Sequence, residues 1–149
     1  TVVDSKLNFK SNTEAVVKKA RKRLFIMKKL YSLRVARPIR TRCYLTFIES
    51  VFIYHICTLF GHLSKTCLSE FDHVIHVAGS MAHCDFPPIS AIYDRCFKQR
   101  CLRMYASERT PLFELDKLPS GRYRQLKCRI NLRKYCFRNM CIEFLNSMF

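Results

Sequence analysis

The sequence is poor in glycine, proline and acidic residues. Its 149 residues include 3 Gly, 5 Pro and no Trp, and 11 Asp and Glu stand against 27 Lys and Arg. So little Gly and Pro excludes collagen-like and low-complexity chains and most turn-rich β folds. Cysteine, by contrast, occurs 9 times. The odd number, without an N-terminal signal pattern, predicts reduced and mostly buried intracellular thiols rather than a secreted disulfide framework.

What the sequence does contain is apolar and basic. Its length suits about one ordinary domain, and an apolar content of 49% is enough for a packed core. The net charge of +16 predicts a polyanionic partner, and nucleic acid is the first expectation. The charge is uneven, because residues 1–42 carry +11, residues 43–94 carry −4 and residues 95–149 carry +9.

Apolar spacing predicts a mainly α fold. In residues 12–33, apolar side chains recur every three or four positions from Val16 to Tyr31, and Ser11 with Glu14 forms a capping-box pattern before them. Further helices are expected from Pro38, through the apolar run 43–60 up to Gly61, over 65–78 before Gly79, over 89–105, and weakly from about 138.

The expected architecture is a small helical bundle with a basic, partly irregular C-terminal segment. In residues 1–10, apolar side chains alternate as at the end of a strand or hairpin. Residues 11–61 are expected to form a helical hairpin, and residues 62–149 a helical C-terminal part with a basic tail. The run 43–60 is slightly short for a membrane span and carries Glu49. We therefore predict a buried core helix there and no membrane association.

Motifs for catalysis and cofactor binding are missing. His83 and Asp85 have the H-x-D spacing of a non-haem iron triad, but no histidine follows Asp85 to complete it. The sequence has no C-x2-C zinc pair, no glycine-rich phosphate loop and no paired carboxylates in a two-magnesium motif. We predict no catalytic residue, no metal and no cofactor, so catalysis by this chain alone is not expected.

Three groups of basic residues are candidates for contacting nucleic-acid phosphates. The first lies opposite the apolar stripe of the 12–33 helix, where Glu14 is the only acid placed to pair at i,i+4 spacing. The second is the connector around Pro38, and the third is C-terminal, where interleaved tyrosines could stack on unpaired bases. The candidates are Lys18, Arg21, Lys22, Lys28 and Lys29; Arg34, Arg37, Arg40 and Arg42; and Arg122, Tyr123, Arg124, Lys127, Arg129, Arg133 and Lys134, with Tyr135 beside them.

A family resemblance runs in order along nearly the whole chain. Its most specific element is the stretch LPSGRYR at Leu118–Arg124. The other segments are Asp4–Val16, Lys18–Leu24, Leu30–Leu33, Phe47–Val51, Phe60–Gly61, Ile92–Cys96, Pro111–Leu115 and Phe144–Ser147. Together they resemble the region that follows the palm in reverse transcriptases of LINE-type (non-LTR) retrotransposons.

This resemblance implies the thumb and tail of such an enzyme without its palm and fingers. Thumbs of this family are helical and hold the template–primer duplex by its backbone, so residues 11–61 would be thumb-like. The family's catalytic aspartate pair lies upstream of the matched region, with the palm and fingers. The resemblance therefore implies an RNA, DNA or hybrid-duplex partner and an intracellular location, nuclear or cytoplasmic.

Two alternatives stay open at this point. Residues 1–40 are also similar to a segment labelled as the N-terminal domain of AlkB homologue eight, a tRNA-modifying dioxygenase–methyltransferase. That similarity implies a fragment of a 2-oxoglutarate oxygenase or methyltransferase acting on nucleic acid, with its catalytic regions elsewhere. The other alternative is an unselected transposon relic that has no function.

Overall fold

The computed structural model describes residues 10–106, 118–125, 127–129 and 131–148, and these are mainly α-helical, as expected. The helices are α1 (Lys10–Ser32), α2 (Arg37–Cys43), α3 (Ser50–Leu59), α4 (Lys65–Ala82), α5 (Ile89–Ala106), α6 (Asn131–Lys134) and α7 (Phe137–Met148). A π-helical segment, Tyr44–Glu49, joins α2 to α3, and a 3-10 turn, Phe60–His62, follows α3. The strand or hairpin end predicted over residues 1–10 lies outside the described residues as far as residue 9, and Lys10 already belongs to α1.

Helix α1 has one buried apolar side, as its sequence predicts. Val16, Val17, Ala20 and Met27 are buried along one side, and this side packs against α4. The helix begins at Lys10, so Ser11 lies inside it, and the capping box predicted at Ser11 is wrong. The helix predicted over 12–33 is confirmed, but α1 begins two residues earlier than the pattern indicates.

The apolar run 43–60 is helical but only half-buried. Pro38 is the second residue of α2, which leads into the π-helical segment and α3 as predicted. Tyr44, Ile48 and Phe52 are almost fully buried, whereas Tyr54 on the outer side is 79% exposed. The prediction of a buried core helix is therefore right for one face only, because the elements around α3 cover a single side. None of the described helices has both the length and the apolar character needed to cross a bilayer.

Helix α4 is longer than its sequence predicts. Ser64 caps it by accepting a hydrogen bond from the Cys67 N–H at 3.2 Å, and the helix ends at Ala82, followed by His83 with a φ of 50°. Gly79, predicted as the stop, lies inside the helix. A side chain there would place its Cβ 2.8 Å from the Cys84 carbonyl oxygen, so the glycine allows the following segment to return close to α4.

The chain divides into two compact units, Thr1–Asp94 and Arg95–Phe149, with the division inside α5. The boundary predicted at 61/62 falls within the first unit, where α1 and α4 share a core. Asp72 accepts a hydrogen bond from the Ile89 N–H at 2.8 Å and so holds the start of α5. Tyr44 stacks on Phe86 with 3.7 Å between ring centroids.

The second unit has its own small core. Tyr123, Ile142 and Leu145 are buried together, and Phe97 makes an edge contact with Phe137 at 5.5 Å between centroids. Cys101 and Cys141 are both fully buried and form a disulfide, so the prediction that all the cysteines are reduced is wrong for this pair. The two residues are 40 positions apart, and no local spacing rule connects them.

Candidate nucleic-acid interface

The outer side of α1 carries a row of exposed lysines. Lys18, Lys22 and Lys29 are separated by four and seven residues, which places them on one face of the helix, opposite the buried Ala20 and Met27. At a rise of about 1.5 Å per residue, they span about 17 Å along the axis. We call Lys18, Lys22 and Lys29 the lysine row. Its geometry is fixed by the packing on the opposite side of the same helix.

The lysine row has no acidic counterpart among the described residues. Lys18 and Lys22 form no ion pair there, and Glu14, although one turn from Lys18, does not pair with it. The Lys29 ammonium lies 5.4 Å from the centroid of the Phe25 ring, which is itself 61% exposed. Positive charge on this face is therefore available to an external anion.

Two arginines beside the lysine row are held by other parts of the first unit. Arg21 lies 3.8 Å from the Glu70 carboxylate, and both side chains are about half exposed. Arg23, which is not among the predicted phosphate contacts, donates a hydrogen bond to the Phe47 carbonyl oxygen. A guanidinium that reaches a backbone carbonyl 24 residues away leaves no local signal in the sequence. Lys28, the remaining candidate on α1, is exposed.

The connector arginines do not form one continuous track. Arg34, Arg37 and Arg42 are exposed, but Arg40 is only 9% exposed. The Arg40 guanidinium donates to the Met81 carbonyl oxygen and lies 5.6 Å from the centroid of the Tyr31 ring. The prediction that Arg40 contacts phosphate is therefore wrong, because its side chain joins α2 to α4. Arg37 also has an internal contact, since it donates to the Cys84 sulfur at 3.5 Å.

The C-terminal candidates belong to the second unit and are mostly exposed. They lie on irregular backbone around 122–129 and on the single turn of α6. The exposed members are Arg122, Arg124, Lys127, Arg129, Arg133 and Lys134. Tyr135 is 43% exposed, and the Lys134 ammonium lies 5.8 Å from its ring centroid.

Tyr123 is the exception in this C-terminal group. It is 6% exposed and lies in the core of its unit, so the predicted stacking on an unpaired base is corrected. Its backbone exchanges two hydrogen bonds with the Asn146 side chain, at 2.8 and 2.9 Å. Burial, together with the neighbouring Tyr105, raises the pKa of the Tyr123 phenol.

The described residues contain no cluster of three or more His, Cys, Asp and Glu side chains that could hold a metal ion. His83 and Asp85, the H-x-D pair, lie where α4 ends and in the segment before Pro87.

Comparison with known proteins gives no match. No family model fits the sequence, and no curated protein and no solved structure matches it.

Proposed function

We propose that this chain is a non-catalytic module that binds the phosphate backbone of nucleic acid through the lysine row of α1. One observation carries the proposal. Lys18, Lys22 and Lys29 are presented together on a helix whose opposite side is buried, and no acid among the residues that the structure describes pairs with them. Binding through such a face depends on charge and on spacing, and has little base specificity.

The charge distribution of the first unit supports this assignment. Most of its positive charge lies in residues 1–42, whereas residues 43–94 are slightly acidic. An anionic polymer would therefore meet α1 and its connector before the rest of this unit. Lys28, Arg34 and Arg42 are exposed and extend the positive surface beyond the lysine row.

The family resemblance supports the proposal and indicates which nucleic acids would be bound. A thumb and tail derived from a LINE-type reverse transcriptase would grip an RNA, DNA or hybrid duplex and leave the chemistry to a palm. The corresponding location is intracellular, nuclear or cytoplasmic, where such templates occur. The Cys101–Cys141 disulfide is unusual for a reducing compartment, but it belongs to the second unit and not to the lysine row.

The test is the salt dependence of binding to a fluorescent RNA–DNA hybrid and to duplex DNA. Each phosphate contact contributes about 0.9 to the slope of log affinity against log salt on duplex DNA. Replacing Lys18, Lys22 and Lys29 together by Gln should therefore flatten the slope by about 2 to 3. Circular dichroism of each variant confirms that the helices remain.

The matched control removes the same charge elsewhere. Lys65, Lys98 and Arg103 are exposed on α4 and α5, and replacing them together by Gln also removes three positive charges. We expect a much smaller change of slope in this variant. Equal slopes in the two triple variants would refute the assignment to α1 and leave only diffuse attraction by net charge.

A further inference from the structure

A cavity of about 380 Å³ lies beside the second half of α4 in the first unit. One wall is the face of α4 that includes Asp72, His76 and Ser80, and the other is the returning segment from His83 to Pro88. The proposed phosphate-binding surface uses none of these residues. The volume is within the range of pockets that hold small organic groups.

The returning segment is held in place against α4 by packing. Gly79 lets the Cys84 carbonyl approach the helix, because a Cβ would lie 2.8 Å from that oxygen. Phe86 lines the cavity and is stacked almost parallel on Tyr44, at an interplanar angle of 12°. The cavity is therefore a preformed feature with an apolar floor, to which Ile75 and Pro88 also contribute.

Several polar groups of the cavity are not used by the fold. One carboxylate oxygen of Asp72 accepts a hydrogen bond from the Ile89 N–H. The Asp85 carboxylate and the His76 imidazole have no hydrogen-bond or ion-pair partner among the described residues. The His83 ring lies 5.7 Å from the Tyr31 ring, measured between centroids. Acceptors from Asp85 and donors or acceptors from the imidazoles are thus open to a ligand.

The composition of the cavity restricts that ligand. A phosphate or carboxylate would meet the like charges of Asp72 and Asp85. A metal ion lacks the necessary cluster of ligands within the described residues. What fits is a flat organic group that places an amino group against a carboxylate and a ring face against apolar side chains.

We propose that this cavity binds an unpaired nucleobase bearing an exocyclic amino group, with cytosine as its simplest form. The proposal rests on the proposed nucleic-acid function, because a strand held by its phosphates on a basic chain would bring bases to it. A carboxylate accepts a hydrogen bond from the cytosine amino group, whereas thymine and uracil present a carbonyl oxygen at that position. The base can belong to a strand or to a free nucleoside.

The first experiment compares fluorescent single strands of equal length and charge, oligo-dC and oligo-dT, at one salt concentration. One extra hydrogen bond to a carboxylate predicts a preference for oligo-dC on the order of tenfold. Asp85→Ala should abolish this preference. The control is Asp94→Ala, which removes another exposed acid of the first unit that does not line the cavity.

The two variants change the net charge equally, so the ratio of the two affinities is the decisive quantity. An equalised ratio in Asp85→Ala alone supports the cavity. Equal binding of both strands by the parent protein, or an unchanged ratio in Asp85→Ala, overturns it. In either of those cases a salt slope that depends on the lysine row still supports backbone binding.

The second experiment needs no polymer and separates the two proposals. Cytidine and uridine are titrated into the full chain while the imidazole C–H signals are followed by NMR, with His76→Gln and His83→Gln providing the assignments. Cytidine should shift the His76 and His83 signals at concentrations where uridine does not. If neither nucleoside moves these signals, the cavity proposal fails, whatever the strands do.

Discussion

The two basic regions of this chain are stabilised in different ways. In the first unit, the lysine row lies on a helix of 23 residues whose opposite face is buried apolar surface. In the second unit, the exposed cations lie on irregular backbone and on a helix of 4 residues. Two features stabilise this region. The Cys101–Cys141 disulfide joins α5 to α7, and the Asn146 side chain forms two hydrogen bonds with the Tyr123 backbone.

This difference shows that similar charge density does not give similar surfaces. A long packed helix fixes the spacing of its cations before a ligand arrives, so little conformational entropy is lost on binding. Cations on irregular backbone lack this regular spacing, because no helical repeat aligns their side chains on one face. The lysine row is therefore the better candidate for a phosphate-binding surface, although both regions are rich in Lys and Arg.

The largest expected effect tests how the second unit is supported. Cys141→Ser removes a cross-link between residues 40 positions apart, and closing a loop of this size contributes about 2–4 kcal/mol. We expect the backbone amides of α7 to lose that much protection from hydrogen exchange under non-reducing conditions. Nucleic-acid binding by the lysine row should keep its salt slope, because α1 belongs to the other unit.

Cys96→Ser is the control for this prediction, since Cys96 is a free thiol on α5. It should leave the protection of α7 unchanged, and a reductant should bring the parent protein to the level of Cys141→Ser. Unchanged protection of α7 in Cys141→Ser would mean that packing alone supports this unit, which would remove the contrast with α1.

A smaller effect distinguishes a structural arginine from a surface one within α2. Arg40→Met removes the donor to the Met81 carbonyl and should lower the free energy of unfolding by about 1–3 kcal/mol. The salt slope of nucleic-acid binding should stay the same, because Arg40 is buried. Arg42→Met should do the reverse, flattening the slope by up to about 0.9 with little loss of stability.

The measurements are chemical unfolding and binding across a salt series for both variants. A flattened slope in Arg40→Met with unchanged stability would return Arg40 to the binding surface and would contradict its buried position. This pair of variants is closely matched, because the two arginines are two residues apart on the same short helix.

Local sequence patterns account for most of the helices but not for their contacts. The stripe from Val16 to Tyr31 predicts α1 and its buried side as far as Met27, with exposed lysines on the other side, whereas Tyr31 at the end of the stripe is 47% exposed. Gly79 is ambiguous, because a helix stop and a close backbone approach both favour a glycine. Only the position of the Cys84 carbonyl decides between them.

Long-range partners explain what the sequence could not predict at the candidate sites. Arg40 is buried because a carbonyl 41 residues away accepts its hydrogen bond. Tyr123 is buried because α7 supplies Ile142 and Leu145 beside it and Asn146 bonds its backbone. A basic or aromatic residue in a basic stretch looks the same in the sequence whether it faces solvent or a core, so the prediction was wrong at these two positions.

The smallest expected effect concerns the buried Tyr123 phenol. Because its pKa in the folded chain is raised above 10.0, the unfolded chain loses this proton first as the pH rises. The neutral phenol therefore contributes stability that is complete below the unfolded pKa and is lost as the pH rises through the folded pKa. Tyr123→Phe should weaken the decline in stability between about pH 9 and about pH 11, as measured by chemical unfolding of the parent and the variant across that range. An identical decline in Tyr123→Phe would show that folding does not raise the pKa of this phenol and would refute the prediction.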